Sequence, residues 1–148
     1  MSAGSRIRPY APADEEAVVA LWSAASKKAH PFIDDEGQGK RERKLREVYL
    51  KIAESWVIED ETGRVVGLLG LLDQEIGGLF VDPAAQGAGY GRALVEHAVK
   101  LKGEVTLEVF EKNAAARAFY AHMGFILFAR RNCDETGHML LKLVRPVG

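Results

Sequence analysis

Short apolar runs and helically spaced apolar residues alternate along the chain. The runs predict strands at residues 7–10, 56–59, 65–72, 75–81, 105–110, 125–131 and 138–144. Apolar residues at helical spacing predict helices that begin at Pro12, near Lys40, at Gly89 and near Ala116. The expected order of elements is therefore β-α-α-β-β-β-α-β-α-β-β.

Two of these helices have an apolar stripe that we expect to face the sheet. In the second helix the stripe follows the spacing i, i+3, i+4, i+7 and consists of Leu45, Val48, Tyr49 and Ile52. In the third helix it consists of Leu94, Val95, Ala98 and Leu101. The basic residues at 40–46 alternate with glutamates, and Glu42 and Arg46 form an i, i+4 pair, so this segment is interpreted as a solvated helix face.

The connections between strands predict the sheet. Short turns join the strands from 56 to 81, which indicates an antiparallel meander, while a crossover helix makes strands 75–81 and 105–110 parallel neighbours. Gly77 and Gly78 inside a strand predict a β-bulge that splays this parallel pair and leaves backbone groups free for a linear, amide-bearing ligand. We therefore expect one α/β (α+β) domain over residues 1–148, with a mixed, mostly antiparallel sheet of six to seven strands and about four helices.

Composition narrows the class of protein. The 148 residues are 47% hydrophobic and their net charge is −1, which excludes a disordered chain and argues against a nucleic-acid-binding module. Apolar runs stay well below the roughly 18 residues of a membrane helix, so no membrane association is expected. The single cysteine, Cys133, suits a reducing compartment, and a cytoplasmic protein is predicted. No metal-ligand spacing links the four histidines, His30, His97, His122 and His138, so no metal is predicted.

The glycine-rich segment at 86–92, Gln-Gly-Ala-Gly-Tyr-Gly-Arg, follows a strand and opens a helix. Alternating glycines allow close approach of an anion to backbone N–H groups at the positive end of the helix, so a phosphate or diphosphate is the expected ligand. The segment lacks the lysine of a P-loop and does not fit Gly-x-Gly-x-x-Gly. Glu108 lies about 20 residues after the glycine segment, where the ribose-binding acid of a dinucleotide fold would lie, so a nucleotide oxidoreductase is one alternative. A tight turn that only packs helix against strand is another.

Several segments together resemble the GNAT N-acetyltransferase superfamily, and in particular bacterial peptide and protein N-acetyltransferases. They are Val81-Asp82-Pro83, Gln86-x-x-Gly89-x-Gly91, Asn113, Phe119-Tyr120 and Gly124-Phe125. The glycine segment resembles the acetyl-CoA motif of that family, and the similarity extends over roughly residues 56–128. It implies the family fold, acetyl-CoA as co-substrate, an amine as acceptor and either a monomer or a homodimer.

The resemblance also implies roles for individual residues. Backbone groups along 86–92 would hold the diphosphate of CoA, and Phe80 and Val81 would offer main-chain groups to the pantetheine arm. Asn113 resembles a residue that contacts the CoA arm, and Tyr120 resembles the tyrosine near the thioester sulfur. The implied cofactor-binding residues are Phe80, Val81, Gln86, Gly87, Ala88, Gly89, Tyr90, Gly91, Arg92, Asn113 and Tyr120.

The expected reaction is direct attack of a primary amine on acetyl-CoA, without an acyl-enzyme. Tyr120 is the predicted hydrogen-bond donor to the leaving sulfur. Glu108 resembles a glutamate that some family members use as the general base. Strand alternation places it away from the most apolar face of its strand. Glu75, His30 and a water chain remain alternatives for the base.

The acceptor is the least defined part of the prediction. It is expected to bind through residues 26–45 and 130–138, where Asp34, Asp35 and Glu36 have the charge to attract a cationic amine or form a solvated loop. A peptide α-amine, a lysine side chain and a small amine all remain open. A non-catalytic acyl-CoA-binding sensor is the alternative function, and the residue that holds the 3′-phosphate of CoA is not assigned.

Overall fold

A seven-stranded sheet forms the centre of the protein in a computed structural model, which describes residues 6–29 and 38–147. The strands are β1 (Arg6–Pro9), β2 (Glu54–Glu59), β3 (Val65–Leu72), β4 (Glu75–Val81), β5 (Val105–Phe110), β6 (Ile126–Asn132) and β7 (Met139–Arg145). Their spatial order is β1-β2-β3-β4-β5-β7-β6, and only the β4–β5 pair is parallel within this sheet. The predicted mixed, mostly antiparallel sheet is therefore confirmed.

The helices cover both faces of the sheet. They are α1 (Glu15–Ala29), α2 (Gln38–Lys44), α3 (Leu50–Ile52), α4 (Tyr90–Lys102) and α5 (Ala114–His122). A π-helical turn, Leu45–Tyr49, joins α2 to α3 without a break. If α2, this turn and α3 are taken as one helix, the described residues form four longer helices, which is the number predicted.

Two hydrophobic cores lie on opposite faces of the sheet. On one face, Val18, Leu21 and Trp22 of α1 pack with Leu45 and Leu50 against Leu68 of β3. On the other face, the core contains Leu94, Val95 and Ala98 of α4, Tyr120 of α5 and Leu69 of β3. Any opening between two strands of this sheet therefore lies between the two cores.

The predicted apolar stripe of the second helix is wrong at two positions. Val48 and Ile52 are 46% and 66% exposed, whereas Leu45 and Leu50 are buried. The cause is the π turn, in which the backbone N–H of Leu50 donates to the carbonyl of Leu45, five residues back. This extra residue shifts the stripe by one position, so that Tyr49 takes the place expected for Val48 and Leu50 that expected for Tyr49.

The third helix departs from its predicted stripe only at its end. Leu94, Val95 and Ala98 are fully buried, but Leu101 is 42% exposed in the last turn of α4. Gly103 ends the helix directly afterwards with a φ of 77°.

Candidate active site

The parallel pair β4–β5 opens into a cleft after two paired positions. The strands pair only at Glu75 with Thr106 and at Ile76 with Leu107. Gly70 pairs with Gly78 while Leu71 pairs with Ile76, so Gly77 is the extra residue of a β-bulge. Beyond the bulge a cavity of about 670 Å³ is lined by both strands, α4 and α5. The predicted splay at the glycine pair is therefore confirmed.

The glycine segment forms one end of this cavity and leads into α4. Gly87 and Gly89 have left-handed φ values of 88° and 87°, and Gly89 is the N-cap of the helix. The N–H groups in the first turn of a helix have no partner within it, and the helix dipole adds positive potential there. This end of the cavity therefore suits a phosphate or diphosphate.

The structure places ten of the eleven predicted cofactor-binding residues on the cavity wall, together with Glu108. The ten are Phe80, Val81, Gln86, Gly87, Gly89, Tyr90, Gly91, Arg92, Asn113 and Tyr120. Ala88 is exposed and is not among the lining residues. The backbone and side chains that the sequence pattern assigned to one ligand are thus brought together around one space.

Tyr120 sits in the core of the α4–α5 face and also lines the cavity. Its ring makes edge contacts with Phe119 and Phe125, at centroid distances of 5.2 and 5.4 Å. Burial raises the pKa of the Tyr120 phenol, so the hydroxyl remains protonated through the neutral range. It is thus a hydrogen-bond donor in the cavity.

Known proteins are similar to this sequence over most of its length. Residues 51–127 match the family described as "Acetyltransferase (GNAT) domain". The chain is 36% identical over 122 residues to Peptidyl-lysine N-acetyltransferase YjaB of Escherichia coli (strain K12), and the match covers 82% of each chain. It is 32% identical over 133 residues to the protein of the same name in Salmonella typhimurium, over 88% of this chain and 91% of that one. The chain belongs to the GNAT acetyltransferase family.

Solved GNAT structures share the architecture. The solution structure of apo-form YjaB from Escherichia coli has a TM-score of 0.87 at 33% identity, covering 97% of this chain and 99% of that one. PaiA N-acetyltransferase from Thermoplasma acidophilum, solved in complex with coenzyme A, has a TM-score of 0.75 at 17% identity, covering 96% and 98%. At 17% identity the likeness shows the fold alone. As a GNAT protein this chain is an acetyltransferase, so the oxidoreductase alternative is wrong.

Glu108 lines the GNAT cavity but is held in an ion pair. Both carboxylate oxygens accept hydrogen bonds from Arg131 of β6, with Nε at 2.7 Å and Nη2 at 2.9 Å. The Arg131 guanidinium, with a smaller contribution from Lys142, holds the pKa of the Glu108 carboxyl below its usual range. The carboxylate is therefore ionised at neutral pH, and it is a weaker proton acceptor than an unpaired glutamate.

The other candidates for the base are placed less favourably, or are not described. Glu75 begins β4 at the closed end of the cleft and does not line the cavity. His30 lies outside the described residues, as do Asp34, Asp35 and Glu36 of the expected acceptor region.

Asn113 caps the N-terminus of α5. As the N-cap, its Oδ1 accepts a hydrogen bond from the backbone N–H of Ala116 at 3.1 Å. The residue still lines the cavity. Its side-chain amide donors are the groups left for a ligand.

Lys28 of α1 also lines the cavity, although nothing in the sequence predicted it there. Its Nζ donates to Oε1 of Gln86, the first residue of the glycine segment, at 2.8 Å. Of the described residues that line the cavity, three are charged: Lys28, Arg92 and Glu108. The two cations lie near the glycine segment, Lys28 in α1 and Arg92 at the start of α4. Arg92 already forms an ion pair with Glu96 at 2.8 Å. No local pattern marks Lys28, because its contact joins residues 58 positions apart.

The described residues contain no cluster of His, Cys, Asp and Glu suited to a metal ion. Nor do they include a helix of sufficient length and hydrophobicity to cross a membrane.

The basic residues of α2 are largely exposed. Arg46, at the end of this run, bonds to Glu15, Glu16 and Glu42, so the expected Glu42–Arg46 pair is confirmed.

Proposed function

We propose that this GNAT protein transfers the acetyl group of acetyl-CoA to the side-chain amine of a lysine in a peptide, by direct attack without an acyl-enzyme. The observation that supports it is the continuous cavity from the glycine segment, through the splayed strands, to Tyr120. Two relatives that match over more than four-fifths of the chain are named peptidyl-lysine N-acetyltransferases, which favours lysine among the amines that the sequence left open.

The residues of the cavity fit an elongated thioester with a diphosphate at one end. In this proposal, N–H groups at 86–92 hold the diphosphate, and Phe80 and Val81 of β4 offer main-chain groups to the amide-bearing arm. The side-chain amide of Asn113 donates a hydrogen bond to the same arm. Tyr120 then stands beside the sulfur and stabilises it by a hydrogen bond as the carbon–sulfur bond breaks.

The acceptor must lose a proton before it can attack. A lysine amine has a reference pKa of about 10.4, so its free form at pH 7 costs about 4.6 kcal/mol. Glu108 is the proposed acceptor of this proton, either directly or through water, since it is the one carboxylate among the described residues that line the cavity.

The function is tested by release of free CoA thiol from acetyl-CoA. We expect turnover with a peptide that has one lysine and a blocked N-terminus. We expect much less with a peptide that has a free α-amine and no lysine. Tight CoA binding without turnover on these peptides or on a panel of small amines would instead support the non-catalytic sensor.

A pair of variants tests Glu108 as the base. Glu108→Gln should lower kcat/KM for the lysine peptide about 100-fold, because proton removal is lost. Arg131→Gln should preserve most of the activity, because the carboxylate remains. Without the guanidinium the pKa of Glu108 rises toward its usual range, so the acid side of the kcat/KM profile should move to higher pH. Equal losses in the two variants would show that the ion pair matters only for the structure.

Lys28 is expected to bind the diphosphate. Lys28→Gln should weaken CoA binding about tenfold, measured by titration calorimetry, since a charge-assisted hydrogen bond contributes about 1.5–3 kcal/mol. The matched control is Lys27→Gln, an exposed lysine in the same last turn of α1. Dephospho-CoA should show the same loss as CoA. A loss seen only with CoA would move Lys28 to the 3′-phosphate, and no loss with either would remove it from the site.

A further inference from the structure

The aromatic ring of Tyr49 packs onto the sheet from the end of the π turn. Tyr49 is the last residue of Leu45–Tyr49 and packs against the core of the α1 face. With ordinary helical spacing, Val48 would share this inward stripe, but Val48 is exposed. π-helical turns are rare and occur often at functional sites, so the position of Tyr49 is a first indication of a role beyond packing.

Three glycines make room for the Tyr49 phenol on β3 and β4. A Cβ at Gly70 would lie 2.6 Å from Cε1 of the tyrosine, and a Cβ at Gly77 would lie 2.5 Å from its hydroxyl oxygen. A Cβ at Gly78 would lie 3.4 Å from the same oxygen. The phenol therefore lies against the backbone of the β-bulge, where β4 parts from β5.

The Tyr49 hydroxyl is buried and has no hydrogen-bond partner among the residues that the structure describes. A buried hydroxyl without a partner is costly, and phenylalanine would fill the same space without that cost. Burial, and to a smaller extent the charge of Glu75, raise the pKa of the phenol, so it stays neutral. A neutral hydroxyl is able both to donate and to accept a hydrogen bond.

Tyr49 and Tyr120 belong to cores on opposite faces of the sheet, with the cleft between them. Gly77 and Gly78 line the cavity, and the Tyr49 hydroxyl lies directly behind their backbone, 2.5 and 3.4 Å from where their Cβ atoms would be, without itself being a lining group. In the reaction, a carbon–nitrogen bond forms and a carbon–sulfur bond breaks at the same carbonyl carbon. If Tyr120 donates its hydrogen bond to the sulfur from one face of the sheet, the amine is able to approach the thioester from the other face.

We propose that the Tyr49 hydroxyl accepts a hydrogen bond from the N–H of the acceptor amine and so orients its nitrogen toward the thioester. The proposal rests on the proposed acetyl transfer. Tyr49 exchanges no proton in this role: the ammonium proton goes to the base before attack, and the second nitrogen proton passes to the departing sulfur, so that CoA leaves as the thiol while the amide forms. Tyr49 therefore acts on the acceptor and not on CoA.

The test is Tyr49→Phe, with Tyr10→Phe as the matched control. Tyr10 is another partly buried tyrosine that packs against the same core. We expect kcat/KM for the blocked lysine peptide to fall about tenfold in Tyr49→Phe, while the Kd for CoA is unchanged and the Tm is unchanged or higher. Tyr10→Phe should keep wild-type kcat/KM.

Each other outcome overturns the proposal. Wild-type kcat/KM in Tyr49→Phe would mean that the phenol only fills space. A weaker Kd for CoA would place the hydroxyl on the donor, and a lower Tm would mean that it is bonded within the fold. A wild-type protein that transfers no acetyl group to any amine would overturn the proposed function itself, and this role with it.

Discussion

Gly89→Val is expected to abolish measurable CoA binding, with a loss of more than 100-fold. Gly89 has φ 87° and ψ 9° at the N-cap of α4, a left-handed conformation that a β-branched residue adopts only under strain. Valine would also place two methyl groups beside the N–H donors of the first turn of the helix. The diphosphate would then lose both the shape and the donors of its site. Titration calorimetry with CoA measures the effect directly.

The control must separate backbone strain from loss of the site. Gly63 also has a left-handed φ, 86°, in the β2–β3 turn, and a Cβ there meets no atom within 4 Å. Gly63→Val therefore introduces similar strain away from the cavity and should bind CoA like the wild type. A folded Gly89→Val protein, with a Tm close to that of Gly63→Val and with wild-type affinity for CoA, would refute the assignment of the glycine segment.

The central strands and the cleft between them were predictable because their signals are local. The bounds of β3, β4 and β5 agree with the sequence prediction, and the bulge lies at the glycine pair that suggested it. β2 begins two residues earlier than expected, and the last two strands are shifted by one. Alternation along a strand and glycines within it need no knowledge of the rest of the chain.

The π turn was not predictable, because it depends on a distant partner. The spacing of Leu45, Val48 and Ile52 fits an ordinary helix, and nothing within the segment indicates an extra residue per turn. At the end of the turn, Tyr49 packs onto Gly70 and Gly77, which come 21 and 28 residues later. Tertiary packing thus selects the less common helical geometry.

The site was predictable where a motif defines it and not where the fold assembles it. The glycine segment, Asn113 and Tyr120 form part of a sequence pattern, and the structure places them on one cavity. Lys28 bonds to Gln86, and Arg131 bonds to Glu108, 23 residues before it. Both contacts depend on how α1 and β6 dock, so the local sequence does not indicate them.

Tyr120→Phe is expected to lower kcat for the lysine peptide about 100-fold while the Kd for CoA changes less than about threefold. Removal of one preorganised donor to a developing negative charge costs about 10²–10³ in kcat. The ring contacts with Phe119 and Phe125 remain in the variant, so the Tm should stay close to that of the wild type. Equal losses in kcat and in CoA affinity would remove Tyr120 from the chemistry.

The dependence of kcat on pH tests the state of the phenol. Because burial raises the pKa of Tyr120, the hydroxyl should still be protonated at pH 9, where an ordinary tyrosine begins to ionise near its reference pKa of about 10. We expect wild-type kcat to rise as the acceptor amine deprotonates and to show no fall up to pH 9.5. Tyr120→Phe should give a lower curve of the same shape. A fall above pH 8 in the wild type that is absent from the variant would show that the phenol ionises in the enzyme–substrate complex, and that its donor is lost when the amine is most reactive.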